Sequence, residues 1–282
     1  AGDPQLRKEQ AIYLCIAKQH TGDFLLACPK TPMTMFQPEE FIMASRMRIG
    51  CDLPHIPRRC TCSKRPYLDK KGIHLLHCKN GGGPTHRHDG IQRELKALAV
   101  SAGVQASTCS KDVVVLNQAG SDTRRADIML PQCGHGGTNL LLDVTIANPA
   151  AACRIDATIN DPGTALRRAN AAKNAKYKDR AQANDIDFMP MALECYGALS
   201  KDFVSVMHML CEKRAEIVGR DKSGIMNYWY KRISCTLHKG NVRAILKRVN
   251  EIAMETASSR DESDDPIVDM EYGNNDTVCR RQ

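Results

Sequence analysis

Apolar positions along this chain fall into stretches of helical spacing that flank a region of strand alternation. Leu6 to Lys18 carries apolar residues at helical spacing (Ala11, Leu14, Ala17). Pro38-Glu39-Glu40 opens a second helix running to about Arg48, with proline at the start and acids in the first turn. Gly50 to Arg59 reads as a proline-containing loop. From His88 to Ala102 the pattern is amphipathic: Ile91, Leu95, Leu98, Ala99 and Ala102 form one stripe, and Gly103 stops it. Strand signals follow at 113–116, 124–130 and 140–146, the last two joined by a Gly-rich link, Pro131 to Thr138, that reads as a hairpin loop. Helix signal returns at about 163–184, dense in Ala, Lys and Arg. A strand at 187–193 is broken by Pro190, which marks an edge or a bulge. Two helices close the pattern. One is capped by Ser200 or Asp202 and runs to about Val218, with Phe203, Met207, Leu210 and Ile217 inward; the other covers about 224–255. Helix, three strands, helix, strand, helices is the order of a mixed α/β core, and no internal repeat interrupts it.

The hairpin carries the most informative chemistry. Side chains alternate along a strand, so Leu140, Leu142, Val144 and Ile146 point one way while Leu141, Asp143 and Thr145 point the other. Asp127 sits on the partner strand. An acid in so apolar a strand is costly to bury unless it is paired or binds a metal. Two such acids across a hairpin repel each other, and a divalent cation relieves that repulsion. Mg²⁺ or Mn²⁺ suits an all-oxygen pair and can activate water beside a scissile phosphate. The competing reading makes Asp127 a turn residue paired with Arg124 or Arg125. On the 163–184 helix, Lys173 and Tyr177 are four apart and share a face, while Lys176 faces elsewhere. Lysine runs of this kind also occur as plain solvated faces.

Residues 60–87 are short of core side chains and rich in Cys, His, Gly and Lys, so a metal or a neighbouring unit must hold them. Cys60, Cys62, His74 and Cys78 make a thiolate and imidazole set suited to tetrahedral structural Zn²⁺. His77 is the rival ligand, with His86 and His88 as further competitors, and buried free cysteines with surface histidines are the alternative. His88, within Arg-His-Asp, is either a phosphate or active-site contact or a capping residue. Tyr228, Trp229 and Tyr230 offer stacking on bases or helix packing, and Cys195 and Cys211 fit a core.

Composition narrows the setting. The chain has 282 residues, room for one large domain or two small ones, and a net charge of +8 from 40 Lys and Arg against 32 acids. Asp261, Glu262, Asp264, Asp265, Asp269 and Glu271 crowd near the end, so the remainder is more basic than the total and favours a polyanion such as nucleic acid. Thirteen cysteines at irregular spacing do not form a secreted disulfide framework and fit a reducing compartment. No apolar run reaches the length of a membrane span, and no signal peptide is visible. The start, Ala-Gly-Asp-Pro without Met, leads us to expect a piece of a longer protein.

Taken in order, Cys60-Thr-Cys62, His74-Leu-Leu-His-Cys78-Lys-Asn-Gly-Gly, Arg87-His88-Asp89-Gly-Ile91, Arg125-Ala-Asp127-Ile128, Leu142-Asp143-Val-Thr and Lys173-x-x-x-Tyr177 resemble the restriction-endonuclease-like domain, of the PD-(D/E)XK superfamily, at the C-terminal end of non-LTR retrotransposon polyproteins. The resemblance covers residues 60–180. It implies a PD-(D/E)XK nuclease-like core, a mixed sheet flanked by helices, preceded by a helical segment and a zinc knuckle. The corresponding divisions are 1–59 helical segment and linker, 60–86 knuckle, 87–255 nuclease-like domain and 256–282 acidic disordered tail. The implied activity is metal-dependent nicking of double-stranded target DNA, whose freed end primes reverse transcription. Asp127 and Asp143 would hold Mg²⁺ or Mn²⁺, Lys173 would be the catalytic lysine and Tyr177 its support. Thr145 stands where the family's lysine follows the second acid, Ala126 stands for its proline, and Ser107 to Lys111 lacks an acid the family often has. Implied partners are target DNA, element RNA and an upstream reverse transcriptase in the nucleus, with no membrane. A nucleic-acid-binding module that has lost cleavage is the alternative.

Overall fold

Paired antiparallel, the two strands of the aspartate hairpin form the middle of a four-stranded sheet. In the computed structural model, residues 3–108 and 126–261 are described. The strands β1 (Ser107–Thr108), β2 (Ile128–Leu130), β3 (Asn139–Ala147) and β4 (Ile186–Glu194) lie in the order β1-β2-β3-β4. β1 and β2 are antiparallel, as are β2 and β3, whereas β4 runs parallel to β3. The chain is thus a mixed α/β fold. The expected strand at 113–116 lies outside the described residues.

Pro190 pairs opposite Asp143 in β4, at the end of the strand order, where a missing N–H costs no ladder bond on the open side. Between β3 and β4 run α4 (Ile155–Asn160) and α5 (Thr164–Gln182), the crossover that a parallel pair requires. α5 covers one face of the sheet, packing Tyr177 and Ala181 on Leu141. On the other face Leu140, Leu142 and Val144 pack with α3 (Gly83–Ser101), α6 (Lys201–Val218) and α7 (Lys222–Asp261) through Ile91, Leu95, Phe203, Leu210 and Trp229. Both faces of β3 are therefore buried, which accounts for its nearly unbroken apolar run.

A second core gathers α1 (Pro4–Ile16) and α2 (Pro38–Arg48) with the loop around Leu75 and Leu76, and it closes on Val242, Ile245 and Ile252 of α7. α7 thus belongs to both cores. Its antiparallel contact with α3 is made through small residues. A Cβ on Gly83 would meet the Ala244 Cβ at 2.6 Å, one on Gly240 would meet Arg87 Cγ at 2.8 Å, and one on Gly90 would meet Thr236 Cγ2 at 3.2 Å.

Several expectations shift. The first helix buries Ala11, Ile12, Cys15 and Ile16, while Ala17 is its exposed C-cap. Helix α3 begins at Gly83 with Pro84 in its first turn, so it takes in residues the sequence assigns to the knuckle. Ser200, not Asp202, caps α6: its Oγ accepts the Phe203 N–H at 3.2 Å, and Asp202 instead accepts from Asn170. Ile217, expected inward, is 59% exposed in the last turn before Gly219. α7 continues past Glu255 to Asp261, so the first residues of the supposed disordered tail are helical, and the rest of that tail lies outside the described residues.

Candidate functional site

Two acids and two cations converge where β2 and β3 meet α3 and α5. The β2–β3 register, Ile128 with Leu142, carried one step further sets Asp127 opposite Asp143. Asp127 ends the ladder with its own side chain. Its N–H donates to the Leu142 carbonyl at 3.0 Å, and its Oδ2 accepts the Val144 N–H at 2.6 Å. From α3, His88 Nε2 lies 3.0 Å from the same Oδ2, and Gln92, one turn on, donates to the Asp127 carbonyl at 2.8 Å. Arg124 and Arg125, the alternative partners for Asp127, lie outside the described residues.

Asp143 is buried at 3% exposure in the middle of β3. Lys173 reaches it from α5 and forms an ion pair with Oδ2. Burial raises the Asp143 carboxyl above its ordinary range; the Lys173 ammonium opposes the shift and the Asp127 charge adds to it. The hydrogen bond to Asp127 lifts His88 to about 9 against the burial that would lower it, which makes it an imidazolium at neutral pH. Each carboxylate therefore faces a cation delivered by a different helix.

The structure brings together Asp127, Asp143 and Lys173 and adds His88 and Gln92. Lys176 goes instead to the Tyr177 hydroxyl, which accepts its hydrogen bond. Tyr177 is buried, its ring 5.3 Å from that of Phe188 and 5.8 Å from the Lys173 Nζ, so it supports the lysine's turn of α5 from below. His88 is marked out in the sequence by its Arg-His-Asp context. Gln92 carries only the signal of standing four residues, one helical turn, after it.

Cys60, Cys62, His74 and Cys78 form a Cys₃His group that could hold a metal ion, with all donor atoms within 4.8 Å of one another. Cys60 Sγ and Cys78 Sγ are 3.8 Å apart, and Cys62 Sγ is 3.6 Å from His74 Nε2. Tetrahedral bonds of about 2.3 Å to sulfur and about 2.0 Å to nitrogen require donor separations of roughly 3.8 and 3.5 Å, so these two pairs already stand at the spacing such an ion needs. The rival His77 turns its Nδ1 to Asn148 Nδ2 at 3.0 Å and stands edge-on to His74. Its role is to hold the loop against the residues that follow β3.

The buried Arg248 of α7, unforeseen in the sequence, places Nη2 3.9 Å from Cys60 Sγ and pairs through Nη1 with Glu251 and Glu255. Burial alone would raise the Cys60 thiol. The Cys62 backbone N–H and the Arg248 guanidinium outweigh it and hold the thiol below its ordinary range, which favours the thiolate that a metal needs.

Searched against known proteins, the chain matches no family model and no curated protein. No helix among the described residues is long and apolar enough to cross a membrane.

Proposed function

We propose that this chain is a metal-dependent DNA endonuclease of the PD-(D/E)XK type, the cleavage domain of a retrotransposon protein that nicks target DNA to prime reverse transcription. The observation that carries the reading is the meeting of Lys173 with Asp143 directly across from Asp127. The lysine that the family places two residues after the second acid is Thr145 here, and α5 supplies an ammonium to the same carboxylate. Asp127 and Asp143 would hold Mg²⁺ or Mn²⁺, hard cations that prefer carboxylate oxygen. When bound, the ion supplies Lewis acidity to a water and to the scissile phosphate.

The protein's own groups have definable tasks. Lys173 opposes the rise that burial imposes on the Asp143 carboxyl, and its ammonium stands ready to face a phosphate oxygen. His88 keeps a proton at Nε2 shared with Asp127, and Gln92 fixes the backbone of that acid. Tyr177 fixes the α5 turn that carries Lys173. We assign Zn²⁺ to Cys60, Cys62, His74 and Cys78 as a structural ion, since the set has four protein donors and no open position. Partners in this reading are double-stranded target DNA, element RNA and a reverse transcriptase domain of the same polyprotein, in the nucleus.

One observation favours a second reading, a binding module without cleavage: each acid is engaged by a cation of the chain itself, Asp127 by His88 and Asp143 by Lys173. A supercoiled-plasmid nicking assay with Mg²⁺ or Mn²⁺ separates the two. Nicking that disappears in both Asp127→Ala and Asp143→Ala supports the nuclease. No nicking by the unaltered protein, with DNA binding equal in all three, sinks it and leaves the binding module.

A further inference from the structure

On the side of α3 turned away from the carboxylate site, a groove runs along the α3–α7 contact. At the ordinary helical rotation per residue, the groove-lining positions His86, Gly90, Arg93 and Ala97 lie about 150° around α3 from His88 and Gln92. The groove consists of a cavity of about 670 Å³ between the two helices and a second of about 1100 Å³ toward the start of α7, with Ala97 and Arg232 shared by both linings.

The first cavity is strongly basic. Six cations line it, Arg87, Arg93, Arg232, Lys239, Arg243 and Lys247, against one carboxylate, Glu94. Arg232 is paired with Glu94, Arg243 with Glu40 behind it, and Lys247 stands 3.9 Å from Glu251 at the solvent-facing side. The buried Arg87 and Lys239 are held by neutral oxygens instead. Arg87 donates to Asn241 and the Leu76 carbonyl, and Lys239 donates to the carbonyls of Pro32 and Met33. Among the described residues Arg87 Nε finds no partner, and every other hydrogen bond of the two is to neutral oxygen, so the charge of both is left to the groove. Arg93 is exposed and has no hydrogen-bond or ion-pair partner among the described residues. Low-dielectric walls with one sign of charge concentrate an anion's field lines and favour a polyanion over a small anion.

The second cavity adds an aromatic surface. Tyr228 is 45% exposed and lines it, while Trp229 beside it is buried in the core. Arg232 sits over the Trp229 ring at 4.7 Å, and its Nη1 donates to the Tyr228 hydroxyl at 3.2 Å, which fixes the phenol in place. A basic track that ends on an exposed, oriented aromatic ring is the arrangement that binds a strand whose bases are free to stack. Duplex DNA offers phosphates but no free base faces.

We propose that the α3–α7 groove binds single-stranded nucleic acid, with phosphates along Arg93 and Lys247 and an unpaired base on Tyr228. The site uses no residue of the carboxylate centre and stands whether or not that centre cleaves DNA. It would let the domain hold one strand on a face separate from the one that handles the other.

The test is fluorescence anisotropy of the full chain with a labelled oligo(dT) of about 16 nucleotides, beside a duplex of equal length. We expect Tyr228→Ala to weaken oligo(dT) binding about tenfold, Tyr228→Phe to restore it, and neither to change duplex binding. Arg93→Glu combined with Lys247→Glu weakens the oligonucleotide further and makes its salt dependence shallower by about 1.4. Asp127→Ala and Asp143→Ala leave oligo(dT) binding intact. Photocrosslinking of a bromodeoxyuridine oligonucleotide to the unaltered protein gives a readout that needs no variant to fold, with the adduct expected on the peptide holding Tyr228. Unchanged affinity in the charge reversals, or an adduct confined to the β2–β3 region, overturns the proposal.

Discussion

Lys173 on α5 and Asp143 on β3 meet as an ion pair although 30 positions of chain, including a whole helix, separate them in sequence. The carboxylate is buried and the ammonium is its nearest charge of opposite sign, so the two are energetically one unit. Lys173→Met leaves the buried Asp143 without its counter-ion and across from the like charge of Asp127. We expect a loss of about 1–3 kcal/mol of stability in urea unfolding and a nicking activity that falls to background. Lys173→Met combined with Asp143→Asn recovers much of the stability and none of the activity. A double variant as unstable as the lysine variant alone would show that Lys173 contributes through packing and not through charge.

The geometry of the Cys₃His group discriminates between the two neighbouring histidines as donors to a metal ion. His74 Nε2 is one of the clustered donors, while His77 Nδ1 is engaged with Asn148. Purified protein should carry stoichiometric zinc by elemental analysis; His74→Ala and Cys78→Ser should lose it, and His77→Ala should keep it. Structural zinc in small modules is worth roughly 10–16 kcal/mol, comparable with the stability of a whole domain. Metal loss should therefore open residues 60–82 to proteases. Retention of zinc in His74→Ala would place the ion elsewhere.

His238 sets an acid limit on the fold. It lies buried against Phe24, ring centroids 4.3 Å apart, and burial, helped by the charge of Arg48, lowers it from 6.5 to about 4. Above the unfolded value both states are neutral and the residue contributes no pH dependence. Between 6.5 and about 4 only the unfolded chain takes up the proton, so stability falls as the pH drops, by about 3 kcal/mol in all. Below that, both states are protonated and the effect levels off. His238→Phe keeps the ring and cannot titrate. Denaturant midpoints measured across this range should fall less steeply in the variant, and parallel curves would refute the assignment.

Glycine at the α3–α7 contact is there for the space it leaves. Ala is ordinarily preferred over Gly inside a helix by about 1 kcal/mol, yet a Cβ at Gly83 would come within 3.0 Å of the Ala244 Cα as well as its Cβ. Backbone cannot step aside as a flexible side chain does. Gly83→Ala is expected to destabilise by about 1–3 kcal/mol, which for a chain of this size lowers Tm by several degrees. An unchanged or higher Tm would mean that the helices can separate at no cost.

Local pattern carried the aspartate hairpin. Alternation along 140–146 put Asp143 on the opposite face from Leu142, and the register then set it across from Asp127. Pro190 marked the edge strand for an equally local reason, its missing donor. Helical phase put Lys173 on the face of Tyr177 without deciding between Lys173 and Lys176; the fold pairs Lys173 with Asp143 and turns Lys176 to the Tyr177 hydroxyl. What stayed illegible depends on contacts between distant segments. Nothing near Cys60 indicates that Arg248, far along the chain, will stand behind it. Ile217 looked inward because periodicity describes a helix and not where its neighbours stop. His74 and His77 could not be told apart until Asn148 was seen to occupy one of them.

Because α7 closes both cores, the order in which the chain leaves the ribosome matters. Ile12, Met43 and Leu75 emerge early but find Val242, Ile245 and Ile252 only when nearly the whole described chain has been made. Until then their apolar surface has no lid, and the cysteine cluster lacks the arginine that stands behind it. Domains commonly complete their folding as they are synthesised; this one is obliged to wait. A chain cut short within α7 would leave the early half open, so truncated products should be cleared or aggregate instead of accumulating as a stable fragment.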